Sequence, residues 1–319
     1  MLKKKSKPVK MAGPARSGTM KYVQKRLRES WPWYVLLMPA LLYIVVFDYG
    51  PMYGILMAFQ KFRASKGIMG SEWIGFDNFI RFFNYPYFWT MIRNTLSITL
   101  LNLATFPCSI IFALFLNEVT HTRFKKVAQM ITYMPHFLSE VVVCSLVLLM
   151  LDLSNGQINN LIAAFGGERQ YFMGIPAAYP FVHVLSSLWQ SLGWGAILYI
   201  SALSAVDSEQ IEAARIDGAS RFRIMWHIDI PAILPTIMIT LLMRMGRIMS
   251  LGYTKILLLE NDLIKDATNV ISTYVYRVGI VGGQYGYATA IGLFNNIINV
   301  LLLLLFNRIA KKLTDISLF

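Results

Sequence analysis

The chain has 319 residues, of which 56% are apolar and only 15% charged, and it carries a formal net charge of +13. That balance excludes an ordinary soluble domain. It also makes nucleic acid a poor explanation of the positive charge: the lysines and arginines stand beside long apolar runs, where they set orientation and meet anionic lipid headgroups.

The apolar residues fall in blocks of roughly 18 to 25, enough to cross about 30 Å of hydrocarbon as helix. They lack the two-residue alternation of barrel strands, so helices are the remaining way to satisfy the backbone in lipid. The expected fold is an all-α integral membrane protein with six transmembrane helices. They are placed near Trp33–Phe59, Phe88–Glu118, Val127–Leu151, Pro180–Val206, Ile233–Leu258 and Tyr285–Ile309. Residues 1–30 read as a basic cytoplasmic segment, unstructured or lying on the headgroups up to residue 28, and residues 31–319 as one membrane domain. The basic segment is too long, and lacks a small-residue cleavage site, for a secretory signal. Arg123, Lys125 and Lys126 follow the second span, and the tail at the end of the sixth carries Arg308, Lys311 and Lys312. The positive-inside rule therefore puts both termini and the loop around Glu212 in the cytoplasm.

Along the first span, Pro39 and the pair Gly50-Pro51 predict a bend or a break. Residues 61–87 form an external loop whose Phe79, Phe82 and Phe83 have helical spacing. Residues 152–179 and 260–284 are the other external loops. Cys108 and Cys144 fall inside apolar spans and read as small packing residues. The four histidines show no ligand spacing, so no metal site is expected.

Polar residues at membrane depth need a reason. His136 and Glu140 are four apart on the third span, just past Pro135, and Glu140 has the option of pairing with an arginine inside the bundle. Gln190 and Trp194 are four apart on the fourth span, with Ser191 between them. Arg244 and Arg247 are three apart on the fifth, which predicts one shared face. Counted from Thr236 they lie roughly 12 to 17 Å along the helix, near the middle of the bilayer. Asn295, Asn296 and Asn299 on the sixth span read as interhelical hydrogen-bonding groups.

Between the fourth and fifth runs lies a charged, glycine-broken stretch at about 207–231. It is patterned as a short helix, a turn and a second helical piece. Ala213 and Ala214 let a helix sit close in a groove, and Glu212 offers a charge to a basic partner. Gly218 permits a backbone reversal, and Pro231 with Pro235 marks a break before the fifth span. Its residues Glu212-Ala213-Ala214, Asp217-Gly218, Ile228, Ile230 and Pro231 resemble the EAA loop of binding-protein-dependent ABC importer permeases, with Ile230 where the pattern has Leu. The chain also resembles sugar-type ABC permeases at Gly75-Phe-Asp-Asn-Phe79, and within them the maltose-type family. Tyr133-Met-Pro-His-Phe-Leu-Ser139 and Thr273-Tyr-Val-Tyr-Arg-Val-Gly279 carry a likeness to its polysaccharide or oligosaccharide subgroup. Glu140 departs from that pattern, which has a bulky apolar residue there.

The resemblance implies a multi-pass subunit of a bacterial plasma membrane. Glu212, Ala213, Ala214, Asp217, Gly218 and Pro231 would make the contact with an ATPase. The implied partners are a second, non-identical permease, two ATPase subunits, an external solute-binding protein and an oligosaccharide. Gln190, Ser191, Trp194, Arg244 and Arg247 fall at distances from the loop similar to the cavity-lining positions of such permeases. The chain has no G-x-x-x-x-G-K-[ST] sequence, so ATP and Mg²⁺ are expected in the ATPase subunits and no cofactor in this chain. The chain is therefore not expected to be an enzyme. Two arginines with few acidic neighbours favour an acidic sugar. A peptide, amino-acid or phosphodiester cargo stays open on the residues alone. An integral-membrane enzyme would need more than His136 and Glu140, and a lone secondary transporter would show inverted halves.

Overall fold

The computed structural model describes residues 16–314, and of residues 16–29 and 313 the backbone alone. It divides into two compact units, Met1–Ile55 and Leu56–Phe319. Residues 1–15 of the basic segment lie outside the described residues.

In the first unit, helix α1 runs Arg16–Tyr43. Of the two expectations for the stretch to residue 28, the unstructured one is therefore corrected from Arg16 onward, and a position on the headgroups is not tested by the helix. Residues 19–31 contain neither Gly nor Pro and are rich in Lys, Arg, Gln and Leu, which favour helix. At Pro51 the chain bends its geometry without stopping. The preceding turns, Ile44–Tyr49, widen to π-type hydrogen bonding, which accommodates the proline's missing donor.

In the second unit, strand β1 (Gln60–Lys61) pairs antiparallel with β2 (Glu72–Trp73). Asn78 fastens this hairpin by donating to the carbonyls of Ala58 and Gln60 at 2.9 and 3.2 Å. The predicted aromatic helix follows at Asp77–Phe83, with Phe82 1% exposed against Phe88 and Phe294.

The second expected span is two helices, α2 (Phe88–Ala104) and α3 (Phe106–Glu118), joined at Thr105 just before Pro107. The third is a bent pair. Helix α4 (Thr122–Tyr133), a 3-10 turn (Met134–Phe137) and helix α5 (Glu140–Met150) meet at 107°. Pro135 removes a helical donor, and Ser139 starts the new helix by accepting from Val142 N at 3.4 Å. The straight span expected at Val127–Leu151 is corrected accordingly.

Helix α6 (Tyr179–Leu203) has 25 residues. Helix α7 (Ser208–Ile216) and the continuous helical stretch Arg221–Met245, whose main part is α8 (Ile230–Met245), follow. The expected break at Pro231 and Pro235 does not occur. A π-type turn at Met225–Asp229 absorbs Pro231, and the helix continues through Pro235. The expected fifth span, Ile233–Leu258, ends early: α8 stops at Met245 and a separate helix, α9 (Tyr253–Leu259), follows a turn. Helix α10 (Tyr285–Thr314) closes the described chain.

Among the described residues four helices are long and apolar enough to cross a membrane: Ser30–Phe59, Phe88–Glu118, Arg221–Met245 and Tyr285–Lys312. The bent pair Thr122–Met150 makes up to five. The fold is thus mostly helical with several membrane-length helices. Helix α6 has the length, but His183, Ser186, Ser187, Gln190 and Ser191 lower its apolarity. Three buried clusters knit the second unit, one of them packing Ile98, Cys144 and Tyr179 against Ile256 and Leu259. As the sequence suggested for the asparagines, Asn299 bridges elements. Its Oδ1 accepts from Met249 N at 2.9 Å and its Nδ2 donates to Ser250 Oγ at 2.9 Å.

Candidate functional site

The loop between α6 and α8 is built for presentation. Asp207 caps α7 by accepting from Glu209 N at 2.9 Å. At its other end Ala219 N reaches Ala214 O at 2.9 Å and Gly218 N reaches Arg215 O at 3.1 Å, a Schellman closure. Gly218 stands at φ +76°, and a Cβ there would meet nothing within 4 Å. Backbone conformation, not space, demands glycine at this turn. Glu212, Ala213, Asp217 and Gly218 are exposed, Ala214 is half-buried, and Ile216 is 86% exposed. Glu212 makes no ion pair among the described residues, so its charge is available to another chain. Beyond the turn, Phe222 and Trp226 stack at 6.4 Å, both exposed. Pro231, expected in the same contact, is exposed on the helix that follows.

Behind α7 lies a cavity of about 470 Å³, lined by Glu118, Arg215, Arg221 and the buried Asp229 among others. Arg221 Nε stands 4.0 Å from Glu118 Oε2. Among the described residues one loose ion pair joins the loop to the end of α3, beside the apolar packing of Met225 in a cluster with Ile110, Ala113 and Leu114.

The predicted polar residues separate into two groups. In the first, the His136 ring stacks on Trp194, centroids 4.3 Å apart and planes 6° apart, with Phe137 edge-on to Trp194 at 5.7 Å. Gln190 Nε2 donates to Leu138 O at 3.2 Å, and Ser191 Oγ to Ser187 O at 2.7 Å. Gly193 makes this possible. A Cβ there would lie 2.4 Å from the Thr132 carbonyl oxygen, so α6 and α4 touch backbone to backbone. His136 and Glu140 are not one helical turn apart on a single helix, as their spacing suggested. Pro135 leaves His136 in the 3-10 turn, while Glu140 opens α5, exposed and without an ion pair among the described residues. The option of a Glu140–Arg pair is corrected on that ground.

The second group is Arg244 and Arg247. They do not share a helical face, because the helix ends at Met245 and Arg247 lies in the turn after it. They do line one cavity of about 220 Å³ with Thr99, Asn102 and Ser250. Arg244 Nη2 donates to Asn102 O at 2.6 Å, and its guanidinium lies 5.8 Å from the Phe106 ring centroid. Asn102 belongs to the last turn of α2, where carbonyls run out of helical partners. No hydrogen bond or ring contact among the described residues joins the two groups.

Residues 105–315 match the family described as "Binding-protein-dependent transport system inner membrane component". The chain belongs to this family of permeases. The match takes in the loop and both groups of polar residues. Protein LplB of Bacillus subtilis (strain 168) is 41% identical over 99% of this permease and 98% of its own length. The polygalacturonan/rhamnogalacturonan transport system permease protein YteP of the same organism is 41% identical over 90% and 89%. Among solved structures, a chain of a bacterial ABC transporter involved in the import of the acidic polysaccharide alginate superposes with a TM-score of 0.83. It is 35% identical and covers 92% of this permease and 99% of that chain. A chain from the same kind of transporter, solved with an alginate pentasaccharide-bound periplasmic protein, gives 0.83 at 34% identity.

Sequence reasoning passed over one residue of this permease. Lys255, on α9, is 5% exposed, and its Nζ donates to Ser187 Oγ at 2.8 Å. The available signal was a lone lysine inside the apolar run Tyr253–Leu259. Near the expected end of a span such a lysine reads as reaching for the surface; the turn at Gly246–Gly252 instead returns it to the side of α6.

Proposed function

We propose that this permease imports an acidic, polysaccharide-derived oligosaccharide handed over by an external solute-binding protein. It would work with a second, non-identical permease and two ATPase subunits, which bind ATP and Mg²⁺. In this reading the chain crosses the bacterial plasma membrane six times with both termini in the cytoplasm. The observation that carries the cargo is the Arg244–Arg247 cavity. Among the described residues no carboxylate lines it, and the Arg244 guanidinium is held by a neutral carbonyl. Two uncompensated cations at membrane depth attract anions. The names of YteP and of the alginate transporter point to the same class of polyanionic sugar.

The loop supports coupling in the same scheme. Exposed Glu212, Ala213, Asp217 and Gly218 face outward for an ATPase cleft, and Pro231 lies within the helix that leads away from it. The stretch Arg221–Met245 is one continuous helix. At about 1.5 Å per residue it spans about 36 Å. Displacement of the loop is thereby carried along one rod to Arg244.

The test is uptake into proteoliposomes holding the full complex. Matched acidic and neutral oligosaccharides are compared for wild type and for Arg244→Gln with Arg247→Gln. Preferential loss of acidic uptake is expected. Equal loss of both would overturn the acidic cargo.

A further inference from the structure

Lys255 is an expensive residue where it stands. Its side chain is buried on a helix whose Ile256 and Leu259 share an apolar cluster with Cys144, yet among the described residues its ammonium has one hydrogen-bond partner, the Ser187 hydroxyl, and no carboxylate in ion-pair range. An ammonium has three donors, and leaving such a charge desolvated opposite a neutral group is unfavourable. A methionine of similar length would suit the surrounding apolar cluster better. Packing does not account for the charge.

The place of Lys255 gives it a use. His183, Ser187, Ser191 and Trp194 recur at helical spacing along one face of α6. That face also holds the His136 stack and, beside it, the Gln190–Leu138 bond. Lys255 is fastened to Ser187, so it joins this polar face one turn from Ser191, which is exposed. One turn is about 5.4 Å, a distance a lysine stem covers by changing rotamer. His183, a turn to the other side, is 6% exposed, and its Nδ1 has no hydrogen-bond partner among the described residues. Glu140, in the first turn of α5, attracts the same ammonium from outside ion-pair range.

We propose that Lys255, with Ser187 and Ser191, forms a second anion subsite of the path, taking the carboxylate of a sugar unit that moves along α6. At rest the ammonium is parked on Ser187; with cargo present it turns to the carboxylate at the Ser191 level. Glu140 keeps a negative charge near the cation when no cargo is there. This inference rests on the acidic-cargo reading above, and it separates from that reading by locating charge selection on α6 and not only at the two arginines.

The experiment uses the full reconstituted complex with its binding protein. The probes are a uronic-acid trisaccharide and its carboxyl-reduced, neutral counterpart. Lys255→Met should lower uptake of the acidic probe about tenfold, the loss of one charge-assisted hydrogen bond, and change the neutral probe less than about twofold. Lys255→Arg should keep the preference for the acidic probe. Thermal unfolding of the purified Lys255→Met complex should be at or above the wild-type temperature, because a buried cation has been removed. Equal loss of both probes, or no loss of either, overturns the subsite. A wild-type complex that takes up only the neutral probe overturns the acidic reading itself.

Discussion

The His136 ring lies flat on the Trp194 indole, 4.3 Å between centroids. The two residues come from different elements, a 3-10 turn after Pro135 and the middle of α6, and Gly193 sets their distance. In the proposed reading, a parallel aromatic pair with polar neighbours Gln190 and Ser191 would offer a sugar ring a face to stack on and hydrogen-bonding partners beside it.

Gly193→Ala should disturb this contact without touching either ring. The new Cβ would sit 2.4 Å from a backbone oxygen, so α4 and α6 must part. Overpacking of this kind costs about 1–3 kcal/mol. Thermal unfolding of the purified complex should show the fall, and uptake should drop with it. An unchanged melting temperature would mean that the helix crossing is looser than described.

The turn at Gly218, proposed for coupling, gives a graded prediction. Gly218→Ala has room for its side chain but must hold φ near +76°. That conformation costs a residue with Cβ about 1–2 kcal/mol, and less for Asn. Uptake and cargo-stimulated ATP hydrolysis should therefore rank glycine first, asparagine next and alanine last. Glu212→Lys should abolish both activities while the protein still reaches the membrane. Normal uptake by Glu212→Lys would remove this loop from the transmission path.

Assembly is open to native mass measurement. The purified transporter should contain one copy of this chain, one different permease and two ATPase chains. A complex holding two copies of this chain and no second permease would contradict the heteromeric scheme.

A structural ion pair outside the polar path serves as a contrast. Arg277 Nη2 stands 2.6 and 2.5 Å from the two Glu260 oxygens, and the Thr268 hydroxyl donates to the same carboxylate. Arg277→Ala leaves a largely buried carboxylate short of partners, costing about 1–3 kcal/mol. Glu260→Gln in the same chain should restore part of the loss. Cargo preference should not change in either variant.

Run length and turn residues carried much of this architecture into view. The apolar blocks located α2 with α3, α6 and α10, and the glycine between Asp217 and Ala219 located the loop's reversal. Prolines were harder to read. Each one removes a donor, but the sequence does not say whether the chain bends sharply, as at Pro135, or adjusts one turn and continues, as around Pro107 and before Pro51 and Pro231. That ambiguity moved His136 off the Glu140 helix; Arg247 left the Arg244 helix for a different reason, the helix end at Met245 before Gly246. Lys255 was illegible for a different reason: whether a lone lysine faces lipid, water or a neighbouring serine depends on how a short helix is turned back after α8.

The bond from Arg244 to the Asn102 carbonyl has a kinetic consequence. In the proposed reading, cargo that takes the Nη2 donor displaces an existing hydrogen bond, and when cargo departs that bond re-forms. The net gain on occupancy is the difference between two charge-assisted bonds, far smaller than either. Residence times at this point should therefore be short, and turnover would be set by the ATPase cycle, not by the escape of a tightly held polyanion.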